Sequence, residues 1–309
     1  MNEAGSHPVE MLHRPGAMLR VRPKIRGHFL QEFNHVYAEA RGAGLVMDVF
    51  RPAGRANGLG VVDVVSGGWR SDRLLLNEHL GFGLCDALCA AGFTVFAVSP
   101  GSAGLFDGRA LVLHVHAALR HIKERAAEWG VDPERLALAG VSAGGHLAAL
   151  AALSPQKARP AGRDPYHRHD TSARAALLFF PPTDLLDFNG HRMDRVHLSE
   201  IENHELLFRG GTHGRTEEEI IGRLRELSPV HAAAQFAERH PGQTPPPFLL
   251  VHGDADPLVP LNQSERLVAA LRAAGGAAEL LVRPGGGHPW PDPGPELSAA
   301  VRWLDGALR

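Results

Sequence analysis

The sequence has few cysteines and no strong imbalance of charge. Its 309 residues include two cysteines, Cys85 and Cys89, which stand one helical turn apart. A disulfide at that spacing would constrain little, and two thiols alone make a poor metal site, so both are interpreted as core residues. The formal net charge is −2, and no run of like charges forms an acidic or basic tail. We therefore expect a small-molecule partner and no nucleic acid.

Long apolar segments are also missing. The N-terminal sequence MNEAGSHPVEMLHRPG lacks the apolar core of a signal peptide, and no window approaches the ~18 apolar residues of a membrane-spanning helix. These observations favour a cytoplasmic protein without a membrane span, although a secreted chain without its signal would look the same. The 19 histidines occur in patterns such as HVH and HRH, without convincing zinc-ligand spacing. Neither a metal nor a cofactor is expected.

Short apolar runs alternate with amphipathic segments over most of the chain. The stretch HVYAEARGAGLVMDVFRP has two alternating halves around Arg41 and Gly42, which is typical of a β-hairpin. The runs VVDVV, FTVFAV, LALAGV, ALLFF, FLLVHG and ELLV follow, most of them separated by helical patterns. This alternation predicts a mostly parallel sheet covered by helices on both faces. We predict a lead segment over residues 1–35 and a single domain over residues 36–309.

One polar segment interrupts the alternation. Residues 184–229 are helical in part and too long for a simple connection. We interpret them as a small helical cap inserted across the carboxyl edge of the sheet. Asp63, inside the apolar run VVDVV, is a second irregularity, because buried central strands rarely carry a charge. Its carboxylate is either less buried than its neighbours or paired.

Ser142 stands where a predicted strand turns into a predicted helix. The sequence AGVSAGGH places it between Gly140 and Gly144, in the pattern G-x-S-x-G. Glycines keep Cβ atoms out of a strained turn, and a helix start presents free N–H groups and partial positive charge beside the hydroxyl. The context indicates a nucleophile elbow, whereas the five-residue pattern alone also fits a small residue in a tight turn.

A serine nucleophile needs a base, and the sequence offers one on a later loop. The strand FLLVHG is followed by Asp254 and Asp256, and the strand ELLV by the loop RPGGGHPW, which contains His288. Loops that follow parallel strands share one edge of the sheet, so these side chains are expected close to Ser142. His146 is nearer in sequence, but it belongs to the helix behind the serine and is interpreted as structural support.

The motifs GVSAGGH, HGDADPLVP and GGGHPW together resemble the α/β-hydrolase fold, in particular its esterase and lipase branch, related to carbohydrate acetyl and feruloyl esterases. The resemblance extends from about Val36 to the end of the chain. It implies a three-layer α/β/α sandwich of about eight strands and a triad of Ser142, Asp256 and His288. In the family pattern HGxxDxxVP the acid is the second aspartate, here Asp256, and Asp254 is the competing candidate.

The segment SGGW after the third strand resembles the HGGGW oxyanion loop of these esterases. Val65 stands where the histidine is usual, and Ser66 where the first glycine is usual. Because the donors in such a loop are backbone N–H groups, the resemblance still implies an oxyanion hole formed by Gly68, Trp69 and Ala143.

Four residues near the same edge are candidates for contact with substrate: Trp69, Phe106, Phe180 and Pro181. None is diagnostic, and Trp69 suits a packing role equally well. The resemblance implies a serine carboxylic-ester hydrolase that works through an acyl-enzyme on a small-molecule ester with short-acyl or aryl groups, of acetyl or feruloyl type. An amidase or peptidase of the same fold is the alternative, and a hydrolase-fold binding protein without catalysis is a third.

Overall fold

A computed structural model describes residues 27–161, 164–188, 191–192 and 204–309. The strands are β1 (Phe29–Ala40), β2 (Ala43–Pro52), β3 (Gly60–Val64), β4 (Thr94–Val98), β5 (Leu136–Val141), β6 (Ala175–Phe179), β7 (Asp187–Phe188), β8 (His191–Arg192), β9 (Phe248–Gly253) and β10 (Ala278–Arg283). The α-helices are α1 (Arg73–Phe82), α2 (Leu84–Ala90), α3 (Gly108–Arg125), α4 (Ala143–Leu153), α5 (His204–Leu207), α6 (Glu217–Glu226), α7 (Pro229–Ala234), α8 (Phe236–Arg239), α9 (Leu261–Ala273) and α10 (Gly294–Leu308).

Eight strands form one sheet in the order β1-β2-β4-β3-β5-β6-β9-β10. The hairpin of β1 and β2 is antiparallel, and β2 also pairs antiparallel with β4. From β4 to β10 all neighbours pair parallel, so the carboxyl ends of these strands share one edge. The short strands β7 and β8 form a separate antiparallel pair.

The core lies in two layers, one on each face of the sheet. Val62 and Val64 of β3 join the layer that contains the buried side chains of α3, α4 and α9. Val61 and Val65 join the opposite layer, with the buried side chains of α1, α2 and α10. Successive strand residues point to opposite faces, so a strand covered on both sides is apolar at nearly every position. The predicted three-layer α/β/α architecture is therefore confirmed.

The first strand begins earlier than we predicted. Phe29 is buried and packs edge-on against Phe50, with 5.0 Å between ring centroids. The pairing of β1 with β2 shifts register between Glu32 and His35, where Asn34 has a positive φ of 57°. This irregularity interrupts the apolar alternation that would have marked residues 29–35 as strand. The predicted domain start at residue 36 stays a prediction, and residues 1–26 of the predicted lead segment lie outside the described residues.

The predicted cap segment is described in part, since residues 189–190 and 193–203 lie outside the described residues. Its described helices pack at the carboxyl edge, against the start of α3. A Cβ atom at Gly108 would lie 2.8 Å from Leu227 Cδ1 and 3.0 Å from Leu206 Cδ1. Ile220 and Leu224 on α6 are buried in the same core layer as α3. The segment thus contributes apolar side chains to the core at that edge.

Two irregularities of the sequence have a direct structural explanation. Asp63 is buried, and its Oδ2 lies 3.1 Å from Nδ1 of His79 on α1, so the carboxylate is paired. Cys85 and Cys89 are free and buried on α2, as the sequence indicates. None of the described helices is long and apolar enough to cross a membrane.

A buried carboxylate joins the β1–β2 hairpin to α1. Asp48 on β2 is 1% exposed and accepts hydrogen bonds from the Gln31 side chain at 2.8 Å and the Asn34 backbone N–H at 2.9 Å. Nη1 of Arg73, at the start of α1, lies 2.6 Å from its Oδ2. Arg73 therefore supplies the one formal positive charge among these three partners.

Replacement of Arg73 is expected to destabilise the fold, because it leaves Asp48 charged and buried with neutral partners only. We expect Arg73→Met to lower the free energy of unfolding by ~2–4 kcal/mol. The control is Arg51→Met, since Arg51 forms an exposed pair with Glu32 at 3.5 Å and should change stability by less than ~0.5 kcal/mol. Urea unfolding measures both values, and equal effects of the two substitutions would contradict this account of Asp48.

Candidate active site

Ser142 occupies a strained turn between β5 and α4, with φ 53° and ψ −123°. The turn is possible because glycines surround it. A Cβ atom at Gly140 would lie 2.4 Å from the Gly144 carbonyl carbon, and one at Gly144 would lie 2.1 Å from the Val64 carbonyl oxygen. Both distances are far inside van der Waals contact, so β3, β5 and α4 approach this closely only with glycine at both positions.

A continuous hydrogen-bond relay joins the three residues that the sequence motifs single out. The Ser142 hydroxyl lies 2.9 Å from Nε2 of His288, and Nδ1 of His288 lies 2.7 Å from Oδ2 of Asp256. The His288 side chain is 11% exposed and that of Asp256 is fully buried. With Nδ1 donating to the carboxylate, Nε2 carries the lone pair that accepts the serine proton.

The carboxyl group of Asp256 is held in its ionised form. Burial raises its pKa, but the adjacent His252, a hydrogen bond from His288 and hydrogen bonds from the backbone N–H groups of Val259 and Leu258 outweigh burial and hold the pKa well below its usual range. The two backbone bonds reach Oδ1 at 2.8 and 2.9 Å. A negative charge next to Nδ1 favours the tautomer with its proton on that atom and stabilises the imidazolium.

His252 is a supporting residue that our sequence analysis missed. It is completely buried at the end of β9, with Nε2 3.6 Å from Oδ2 of Asp256 and 2.8 Å from the Val259 carbonyl oxygen. Its Nδ1 lies 2.7 Å from the Ser264 hydroxyl. The signal was available, because His252 is the first residue of the motif HGDADPLVP.

Asp254, the competing candidate for the acid, has a different partner. Its Oδ1 accepts a hydrogen bond from the Gly285 N–H at 2.6 Å. A Cβ atom at Gly253 would lie 2.2 Å from the Gly286 carbonyl oxygen, so the loops after β9 and β10 are in direct backbone contact. The structure thus brings Asp256 to His288, while Asp254 ties the two loops together.

Three of the side chains predicted to contact substrate are buried. The Phe180 ring is 1% exposed and packs against the His288 ring, with centroids 4.4 Å apart. Pro181 lies under α4, where a Cβ atom at Gly145 would be 3.2 Å from the Pro181 Cβ. Phe106 is 3% exposed and packs edge-on against His114. Phe180 thus supports His288, and the substrate role of these residues stays a prediction.

The segment SGGW forms a tight turn beside α4. Gly68 and Trp69 both have positive φ, at 53° and 60°, and Gly67 and Arg70 exchange backbone hydrogen bonds of 3.0 Å in both directions. Consecutive positive φ angles at the two central residues are typical of a type I′ turn. The Ala103 N–H donates to the Trp69 carbonyl oxygen at 2.8 Å and fixes the turn to the loop after β4.

The backbone N–H groups of Gly68, Trp69 and Ala143 have no acceptor within the described part of the chain. The Gly144 N–H, by contrast, donates to the Ser66 carbonyl oxygen at 3.0 Å, which places the turn directly beside the start of α4. Free N–H groups from two segments at a helix start can donate hydrogen bonds to an anionic oxygen next to Ser142. No three His, Cys, Asp or Glu side chains of the described residues are grouped to hold a metal ion.

A model of the BD-FAE family matches residues 47–271, which is most of the chain. The chain belongs to the BD-FAE family. The match extends from within β2 to within α9 and therefore includes Ser142 and Asp256, while His288 follows it. Membership confirms the predicted esterase branch of the α/β-hydrolase fold.

Curated relatives of this BD-FAE chain include named esterases. The esterase LipQ of Mycobacterium tuberculosis is 32% identical over 166 residues, which are 54% of this chain and 35% of LipQ. An acetylxylan esterase of Xylanibacter ruminicola is 24% identical over 242 residues, 77% of this chain and 41% of that enzyme. The chain thus spans less than half the length of these relatives.

Solved structures share the fold of the BD-FAE chain at low sequence identity. A truncated carbohydrate esterase from gut microbiota has a TM-score of 0.74 and 20% identity, covering 93% of this chain and 99% of that one. The butyrate-bound esterase Est2 of Thermogutta terrifontis has a TM-score of 0.63 and 24% identity, covering 94% of this chain and 96% of that one. These likenesses establish the α/β-hydrolase fold.

The turn around Ser142 gives a direct test of its packing. Gly144→Ala is expected to lower the free energy of unfolding by ~3 kcal/mol or more, because the new methyl group overlaps the Val64 carbonyl oxygen and the backbone must shift. Gly222→Ala is the matched control, since Gly222 is in the exposed middle of α6 with no atom near the added Cβ. It should gain ~0.5–1 kcal/mol from helix propensity. Urea unfolding measures the free energy of unfolding of both variants. An unchanged value for Gly144→Ala would contradict the close contact between Gly144 and Val64.

Proposed function

We propose that this BD-FAE chain is a serine carboxylic-ester hydrolase whose triad is Ser142, His288 and Asp256. One observation carries the proposal: the unbroken relay from the buried Asp256 carboxylate through His288 to the Ser142 hydroxyl, at 2.7 and 2.9 Å. A relay of this kind is the arrangement that turns a weakly nucleophilic hydroxyl into an attacking group.

In the first step Ser142 Oγ attacks the carbonyl carbon of the ester, while its proton moves to Nε2 of His288. The carbonyl π electrons move onto the oxygen, and the resulting oxyanion accepts hydrogen bonds from the free N–H groups of Gly68, Trp69 and Ala143. The ionised Asp256 stabilises the positive charge on the imidazolium. Donors fixed in advance at the position of the developing charge lower the barrier without reorganisation.

The tetrahedral intermediate then collapses, and the bond to the alcohol oxygen breaks. His288 gives its proton to the departing alcohol, which leaves an acyl group on Ser142 Oγ. In the second half, His288 takes a proton from a water molecule as that water attacks the acyl carbon. Collapse of the second intermediate returns the proton to Ser142 and releases the carboxylic acid.

We further propose that the substrates are small esters with short-acyl or aryl groups, of acetyl or feruloyl type. Support comes from the acetylxylan esterase of Xylanibacter ruminicola, whose similarity to this chain extends over 77% of it. The fold neighbour named as a carbohydrate esterase from gut microbiota agrees with this substrate class.

The proposal predicts a large loss of ester hydrolysis on removal of the serine hydroxyl. Parent and Ser142→Ala are compared on p-nitrophenyl acetate, ethyl ferulate and alanine p-nitroanilide. We expect the parent to hydrolyse the two esters faster than the anilide, and the substitution to lower kcat by ~10⁴–10⁶-fold. Ser298→Ala, which removes a hydroxyl from the exposed face of α10, should leave kcat unchanged.

Each contrary result has a distinct meaning for this proposal. A Ser142→Ala variant as active as the parent would exclude the triad. A parent that prefers the anilide would indicate an amidase or peptidase instead. A folded parent without activity on any of the three substrates would favour a binding role over catalysis.

A further inference from the structure

Trp69 has a backbone conformation that its side chain disfavours. Type I′ turns prefer asparagine and glycine at their two central positions, because both residues must adopt positive φ. Gly68 satisfies the first position, but the second is a bulky aromatic residue with φ 60°. Such a residue stays in the left-handed region only when its surroundings hold it there. Two of the three oxyanion N–H groups that we propose, those of Gly68 and Trp69, belong to this turn, so whatever holds Trp69 also positions them.

The contact that holds the Trp69 side chain comes from α4, the helix after Ser142. The Trp69 indole N–H donates to Nδ1 of His146 at 2.9 Å, and the two rings meet edge-on with centroids 5.4 Å apart. His146 is completely buried on α4, four positions after Ser142. The side chain of the disfavoured turn residue is therefore hydrogen-bonded to the helix that begins directly after the serine.

A second hydrogen bond determines which His146 nitrogen faces Trp69. Nε2 lies 2.6 Å from the carbonyl oxygen of Leu227, the residue that follows α6. A carbonyl oxygen can only accept, so Nε2 carries the proton and Nδ1 is left with the lone pair. Burial lowers the pKa of His146 to about 4, although the Leu227 bond raises it, so the ring is neutral at neutral pH. Nδ1 therefore remains an acceptor for the indole under ordinary assay conditions.

We propose that His146 is a positioning residue, which holds Trp69 so that the Gly68 and Trp69 N–H groups face the oxyanion. The inference rests on the ester hydrolysis proposed above and assigns His146 no proton transfer. It also makes α6 part of the support, because the Leu227 carbonyl oxygen selects the tautomer of His146. Loss of the indole bond should impair transition-state stabilisation more than substrate binding, since the oxyanion forms only after attack.

Three substitutions separate the two hydrogen bonds of His146. Trp69→Phe keeps an aromatic ring but removes the indole N–H. His146→Gln places an amide N–H near the position of Nε2, so it can still donate to Leu227 but offers nothing at Nδ1. His146→Asn places an amide oxygen near Nδ1, so it can still accept from Trp69 but does not reach Leu227. The matched control is Trp303→Phe, which removes an indole N–H that donates to Glu279 at 2.8 Å on the surface.

We expect Trp69→Phe and His146→Gln to lower kcat by ~10- to 100-fold on p-nitrophenyl acetate, with KM nearly unchanged. His146→Asn should keep a higher kcat than His146→Gln, because it restores the acceptor. The double variant Trp69→Phe/His146→Gln should be no slower than the slower single variant, since both remove the same bond. Trp303→Phe should match the parent.

A spectroscopic measurement makes the test independent of activity. In ¹H–¹⁵N spectra the Trp69 indole signal, assigned by its absence in Trp69→Phe, should move in His146→Gln and stay near its parent position in His146→Asn. A parent that is inactive on esters would contradict the proposed function while this measurement still tests the contact.

An active parent with an unchanged kcat in Trp69→Phe would overturn the positioning role. Equal kcat values for His146→Gln and His146→Asn would overturn it as well. If His146→Gln does not fold, the kcat of Trp69→Phe and the position of the indole signal in His146→Asn still test the positioning role.

Discussion

The close approach of β3 to the start of α4 is the constraint on which the rest of the site depends. Gly144 lies against the Val64 carbonyl oxygen, and its N–H donates to the Ser66 carbonyl oxygen. This contact brings the turn after β3 beside Ser142, and it is possible only because Gly144 leaves no side chain between the two backbones. The serine, the helix start and the free N–H groups of the turn are all positioned by this one packing arrangement.

A second close contact between glycines positions the base His288 and the acid Asp256. The loops after β9 and β10 touch at Gly253 and Gly286, and Asp254 bonds across them. Asp256 and His288 are thereby held 2.7 Å apart on two different loops. The ionised carboxylate is buried with His252 beneath it, so its charge acts on His288 with little screening by water. Two close backbone contacts thus position the site. The contact at Gly144 places Ser142, and the contact between Gly253 and Gly286 places Asp256 and His288.

The residues of the relay could be predicted from the sequence because each belongs to a short motif directly after an apolar strand. Parallel strands bring such loops to one edge, and the three motifs occur in a fixed order along the chain. The alternation of apolar runs also predicted the two-faced sheet. These features depend on local patterns and on the general rules of parallel sheets.

Other features depend on contacts between segments that are distant in the sequence, so local sequence patterns could not predict them. Phe180 directly follows β6 with a positive φ of 37°, and its ring packs against the His288 ring, a contact that no local pattern indicates. The partners of His146 are Trp69, 77 positions away, and Leu227, 81 positions away. The pairing of Asp63 with His79 is of the same kind, since it depends on how α1 packs on β3.

The central claim is that the relay activates Ser142 as a nucleophile, and labelling with a fluorophosphonate measures this most directly. The account predicts one adduct per chain, located on Ser142 by peptide mass spectrometry, with ester hydrolysis lost in proportion to labelling. An adduct on another residue that abolishes hydrolysis, or full hydrolysis after stoichiometric labelling of Ser142, would contradict it.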